Sequence, residues 1–96
     1  MFSEELKNDL YALADLGGEM QGILQSDAYQ TGLTLARARI FEGWTSSASA
    51  KERDNLHADL RALERLEAAF KDIDDEGAVA REAIRRMQEA VSDTDL

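Results

Sequence analysis

A chain of 96 residues with a formal charge of −9, no cysteine and no proline has room for one domain with a modest core, burying roughly two thirds of the unfolded surface. The missing thiols exclude a disulfide framework or a thiolate metal site, and no window approaches the ~18 consecutive apolar residues that a membrane span requires. Twenty acidic against eleven basic side chains repel phosphate backbones, which disfavours direct nucleic-acid binding and favours a basic partner; the simpler reading of that charge, preferred here, is solubility.

Abundant Ala, Leu, Glu and Arg favour helix, and β-branched residues never alternate with polar ones over a run. The expected fold class is therefore all-α, a small antiparallel helical bundle or a long helical hairpin of three to four helices. In chain order the helices are expected at about 3–20, 28–44, 50–75 and 78–91, within a single domain covering 1–91, with a frayed tail at 92–96. Ser3 is placed to cap the first helix, with Glu4 and Glu5 complementing the positive end of its dipole. Leu6, Leu10, Leu13, Leu16 and Met20 then form an apolar face. Gly17 and Gly18 interrupt it, each costing about 1 kcal/mol relative to alanine; either the helix ends near Leu16 and restarts, or the glycines admit another backbone. Gly22 extends this ambiguity, and Gln21 to Asp27 is expected as the first loop.

Asp27 is expected to cap the second helix, whose apolar side is Tyr29, Leu33, Ala36, Ile40 and Trp44. The polar run Thr45 to Ser49 reads as a connection, and Ser49-Ala50-Lys51-Glu52 fits the S-x-x-E capping box that starts a third helix. Over about two dozen residues that helix would be ~35 Å long, with the stripe Leu56, Leu60, Leu63, Leu66, Phe70, Ile73. After Gly77 the stripe resumes as Ala80, Ile84, Met87 and Val91. Gly77 is the residue between the two stripes that adopts a left-handed turn cheaply; a turn there is the favoured reading, and a straight passage would fuse helices three and four. Glu67 with Lys71 and Glu82 with Arg86 are i,i+4 pairs of favourable orientation.

Charge is uneven along the chain. Residues 1–27 hold six acids and one base and residues 54–96 hold twelve acids and six bases, while Arg37, Arg39, Lys51 and Arg53 outnumber Glu42 and Glu52 between them. The N-terminal residues Met1 to Glu5 are acidic where a secretory signal is basic, which predicts a soluble protein of the cytoplasm.

Reactive constellations are weak. Asp72, Asp74, Glu76, Gly77 and Val79 imitate the first eight positions of a calcium loop, but Ala83 stands where the bidentate glutamate belongs. Asp54 and His57 share a helix spacing suited to a metal, yet no second histidine exists to build a di-iron bundle site. Carboxylate pairs drawn from twenty acids carry no information, and no phosphate loop, nucleophile elbow or Ser, His, Asp arrangement is recognisable. No enzymatic activity, catalytic residue, cofactor or metal is expected. The candidate contact residues are Trp44, Phe41, Leu56, Leu60, Leu63, Leu66, Phe70, Ile84 and Met87. Trp44 is read first as closing the end of the core and second as a partner anchor, and Phe41 lies off the Ile40 stripe.

The helix ending Ile40-Phe41-Glu42-Gly43-Trp44, its Ser/Ala connection, and then Arg53, Leu56, Leu60, Leu63, Leu66, Phe70, Ile73 and Gly77 resemble small acidic helical proteins encoded by tailed bacteriophages and prophages. The resemblance implies a structural or assembly accessory protein in a bacterial host's cytoplasm or in the virion. It would act through protein contacts: a homo-oligomer, or a phage or host protein with a basic surface. The alternative is an acidic imitation of DNA that blocks a host nucleic-acid-binding protein, using Asp54, Glu64, Asp72, Asp75 and Glu76. The intervening Arg61, Arg65, Arg81, Arg85 and Arg86 argue against it.

Overall fold

The computed structural model describes residues 3–95, with side chains described over 3–91. It is all-α: α1 Glu4–Gln25, α2 Asp27–Ser46 and α3 Ala50–Asp95, of 22, 20 and 46 residues. No strand occurs among the described residues.

The α1 helix starts where Ser3 Oγ accepts the Leu6 N–H at 3.1 Å. It then runs through Gly17, Gly18 and Gly22 to Gln25, so the expected loop from Gln21 to Asp27 shrinks to Ser26. Ser26 is extended, with φ −72° and ψ 144°. Its hydroxyl donates to the Ile23 carbonyl at 2.7 Å and accepts the Tyr29 N–H at 3.2 Å. One side chain thereby closes α1 and caps α2, which displaces Asp27 from the expected capping role. Asp27 becomes the first residue of α2, its carboxylate near the positive end of the dipole.

At the other connection Ser49 Oγ accepts the Glu52 N–H at 3.2 Å, as the S-x-x-E pattern predicts. In the return bond Glu52 Oε2 accepts the Ala48 N–H at 3.0 Å, one residue before the N–H that usually donates.

The expected turn at Gly77 is corrected by the structure. The α3 helix passes through it without a break, and no glycine among the described residues has positive φ. The same continuity leaves 72–83 helical, which removes the loop geometry that calcium ligation requires. The absent side chain at Gly77 serves close packing instead: a Cβ built there would stand 2.5 Å from the Gly17 Cα and 3.1 Å from the Leu13 carbonyl oxygen. Of the expected frayed tail, Leu96 and the side chains from Ser92 onward lie outside the described residues.

The residues group into two compact units, Met1–Gly22 with Lys71–Leu96, and Ile23–Phe70. In the first, Met20, Ala80, Ile84 and Met87 are buried around the contact of Gly17 with Gly77. Burial along α1 follows Leu10, Ala14, Gly17 and Met20, whereas Leu6, Leu13 and Leu16 remain exposed. The broad apolar face expected on α1 is thus split by the glycine contact, which draws one edge of it inward.

In Ile23–Phe70 no residue is fully buried. A half-buried seam runs along Tyr29, Leu33, Ala36, Ile40 and Gly43 on α2 and along Leu56, Leu60, Leu63, Glu67 and Phe70 on α3. Steps of three and four are the spacing of a coiled-coil seam. Along it the Tyr29 and Phe70 rings lie 5.9 Å apart at 53°, Arg37 pairs with Glu67, and Gly43 opposes Leu56. Two expectations change here. Glu67 occupies the seam position between Leu63 and Phe70, leaving Leu66 half exposed beside it. Its carboxylate pairs with Arg37 of the facing helix and not with Lys71, because a seam residue reaches across more readily than along its own helix.

Candidate interaction surface

The Ile23–Phe70 unit carries an open apolar groove of about 460 Å³ near the end of α2. From α2 come Arg37, Ile40, Phe41 and Trp44, and from α3 Leu56, His57 and Leu60. Steps of four and three bring Arg37, Phe41 and Trp44 to one side of α2. Ile40, Leu56 and Leu60 form the floor because they belong to the half-buried seam. Phe41 is 67% and Trp44 45% exposed, so much of each ring's apolar surface is left uncovered.

Local geometry holds this end in place. A Cβ at Gly43 would meet the Leu56 methyls at 3.0 and 3.2 Å, so the glycine makes room for Leu56 to sit against α2. Arg53 Nε donates to Ser47 Oγ at 3.1 Å, and that hydroxyl donates to the Trp44 carbonyl at 2.8 Å. The relay ties the last turn of α2 to the first turn of α3 and so positions Trp44. At the far edge of the groove, the Glu67 carboxylate anchors the Arg37 guanidinium.

A second hollow, of about 330 Å³, lies on α3 and shares His57 with the groove; Asp54, Ala58, Arg61 and Arg65 complete it. Among the described residues the side chains of Asp54, Arg61 and Arg65 make no hydrogen bond or ion pair within the chain. Further along α3 the charges behave differently. Arg85 bridges Glu82 and Glu89, and Arg86 reaches Glu82 at 3.1 Å. The hydrogen bonds from Arg85 and then Arg86 outweigh desolvation and lower the Glu82 carboxyl from 4.5 to about 2. The same contacts, that with Glu82 foremost, raise Arg85 above the usual guanidinium range.

No family model, curated protein or solved structure matches this chain.

The sequence candidates are therefore sorted by geometry alone. Trp44, Phe41, Leu56 and Leu60 converge on the groove. Leu63 and Phe70 continue the seam, and Leu66 lies outside it. Ile84 and Met87, at 8% and 6% exposure, are core of the other unit and present little to a partner. Sequence reasoning left out Arg37, Ile40 and His57 as groove residues. The spacing 37, 41, 44 on α2 was the available signal, but it mixes a cation with two aromatics and so does not register as an apolar stripe. Among the described residues no group of three or more His, Asp or Glu side chains is arranged to hold a metal ion, and no helix is long and apolar enough to cross a membrane.

Proposed function

We propose that this chain is a non-enzymatic protein–protein interaction module that docks through apolar helix faces, each unit acting as an antiparallel helix pair whose open side a partner completes. The observation that carries this reading is the groove floored by Ile40, Leu56 and Leu60, beside which Phe41 and Trp44 stand exposed. Exposed aromatics over an apolar floor are the composition of an interface hot spot. The polar side chains lining it are Arg37 and His57, neither accompanied there by a nucleophile or a carboxylate pair. Its resemblance to small phage and prophage proteins extends the reading to a structural or assembly accessory role in a tailed bacteriophage. The pairing of Glu82 and Glu89 with Arg85 breaks up the negative field on that stretch of α3, which weakens the alternative of a DNA imitation.

The test places a photo-crosslinking amino acid at position 41 of the full chain in the cells that produce it. A discrete adduct that disappears in Leu60→Asp, and that a crosslinker at exposed position 79 does not form, is expected. Absence of any adduct, or one formed equally from both positions, overturns the reading.

A further inference from the structure

Two charge patterns single out one occupant for the groove. Met1–Gly22 with Lys71–Leu96 carries thirteen acids against five bases, whereas Ile23–Phe70 carries seven against six. Two copies meeting through the first unit would oppose strongly acidic surfaces, but two copies of Ile23–Phe70 meet close to neutrality. Near neutrality alone is permissive; the order of the charges is more specific. Beside the groove, α3 presents Asp54, then His57 and Ala58, then Arg61, with Asp54 and Arg61 lacking any ion partner within the chain among the described residues. In an isologous contact, antiparallel helices bring together residues equidistant from the two-fold axis. An axis between His57 and Ala58 therefore sets Asp54 of each copy opposite Arg61 of the other. Ala58 at that point is small enough for close helix approach.

We propose that a second copy of this chain fills the groove, with two Ile23–Phe70 units packed about a two-fold axis beside His57 and Ala58. Phe41 and Trp44 of each copy cover apolar floor, and Asp54 and Arg61 exchange ion pairs across the interface. This rests on the interaction-module reading and names its partner.

Sedimentation equilibrium of the full chain from low to high micromolar concentration tests it, with the fluorescence of Trp44, the sole tryptophan, as a second readout. A monomer–dimer equilibrium with a blue shift of Trp44 emission on association is expected. Phe41→Asp should abolish the dimer at unchanged helicity, since an exposed side chain does not hold the fold, and Val79→Asp should leave it intact. Asp54→Arg should weaken dimerisation about tenfold or more, as loss and reversal of a close interfacial charge pair does. Adding Arg61→Asp should restore it to within about threefold of the original. A monomer at every concentration overturns the second copy as occupant; an adduct to a different protein at position 41 would then still uphold the interaction reading. A dimer indifferent to Phe41→Asp, or one that the double charge reversal fails to rescue, overturns this face and this axis.

Discussion

Gly17 of α1 and Gly77 of α3 touch backbone to backbone: a Cβ built on either would lie 2.5 Å from the Cα of the other. Neither glycine turns the chain. Both lie inside helices, where they cost about 1 kcal/mol each relative to alanine, and their contact brings the helices near enough for Met20, Ala80, Ile84 and Met87 to close around it. Helix propensity and packing therefore oppose each other at these positions, and packing decides.

Replacing either glycine by alanine tests that balance. The new methyl meets backbone atoms of the facing helix, which cannot swing aside as a side chain can, so Gly17→Ala and Gly77→Ala should each destabilise by about 1–3 kcal/mol net. At roughly 4–8 °C per kcal/mol for a chain of this size, the loss is visible in thermal unfolding followed by circular dichroism. Gly18→Ala, with nothing within 4 Å of its Cβ position, should instead stabilise by about 0.4–1 kcal/mol. Three variants shifting the same way would refute the contact.

Burial separates the apolar residues of α3 into two groups that look alike in sequence. Met87→Ala and Ile84→Ala remove side chains only 6% and 8% exposed and should cost about 2–5 kcal/mol. Val79→Ala, at a position 70% exposed, should stay within about 0.5 kcal/mol of the parent. Urea unfolding midpoints give the ranking, and a large effect at Val79 would show that it is covered.

Ser26 and Asp27 compete for one cap. Because Ser26 Oγ holds both the Ile23 carbonyl and the Tyr29 N–H, Ser26→Ala should cost about 1 kcal/mol. Asp27→Ala should cost less, ~0.3–1 kcal/mol from the dipole alone. The reverse order in chemical denaturation would return the cap to Asp27.

The ion-pair network on α3 has a definite acid dependence. Glu82 titrates near 2 in the folded chain against an ordinary 4.5, so its contribution is fully present above pH 4.5 and is lost as the pH falls from there towards 2. Being at the surface, it is screened by salt and small. Thermal midpoints of the parent and Glu82→Gln should differ at pH 5 in low salt and converge by pH 2. A gap that persists at pH 2 would assign the effect to packing.

Much of the candidate surface was legible before the fold was known. Trp44, Leu56 and Leu60 follow from helical spacing and Phe41 from its place off the Ile40 stripe, and all four line the groove. Arg37 stood out only for its charge and His57 only for its spacing from Asp54, because their place in a groove depends on the apolar residues of a neighbouring helix. Leu66 and Glu67 show the same limit. Spacing favoured the leucine for the stripe, yet the glutamate takes the seam because Arg37 is there to neutralise it.

What the sequence by itself determined is the helical character of the chain and where α1 and α3 begin. No proline breaks a helix, apolar residues recur at steps of three and four, and Ser3 and Ser49 begin α1 and α3 where their local patterns require. These are short-range effects within about one helical turn, so adjacent residues suffice to decide them. Tertiary structure decided whether Gly77 turns or continues, which edge of α1 is buried, and that Phe41 stays exposed while Ile40 does not. A glycine is compatible with both a turn and a close crossing, and the choice depends on Gly17, sixty residues away in sequence. Such a choice belongs to the pair of surfaces that meet and cannot be assigned to either helix alone.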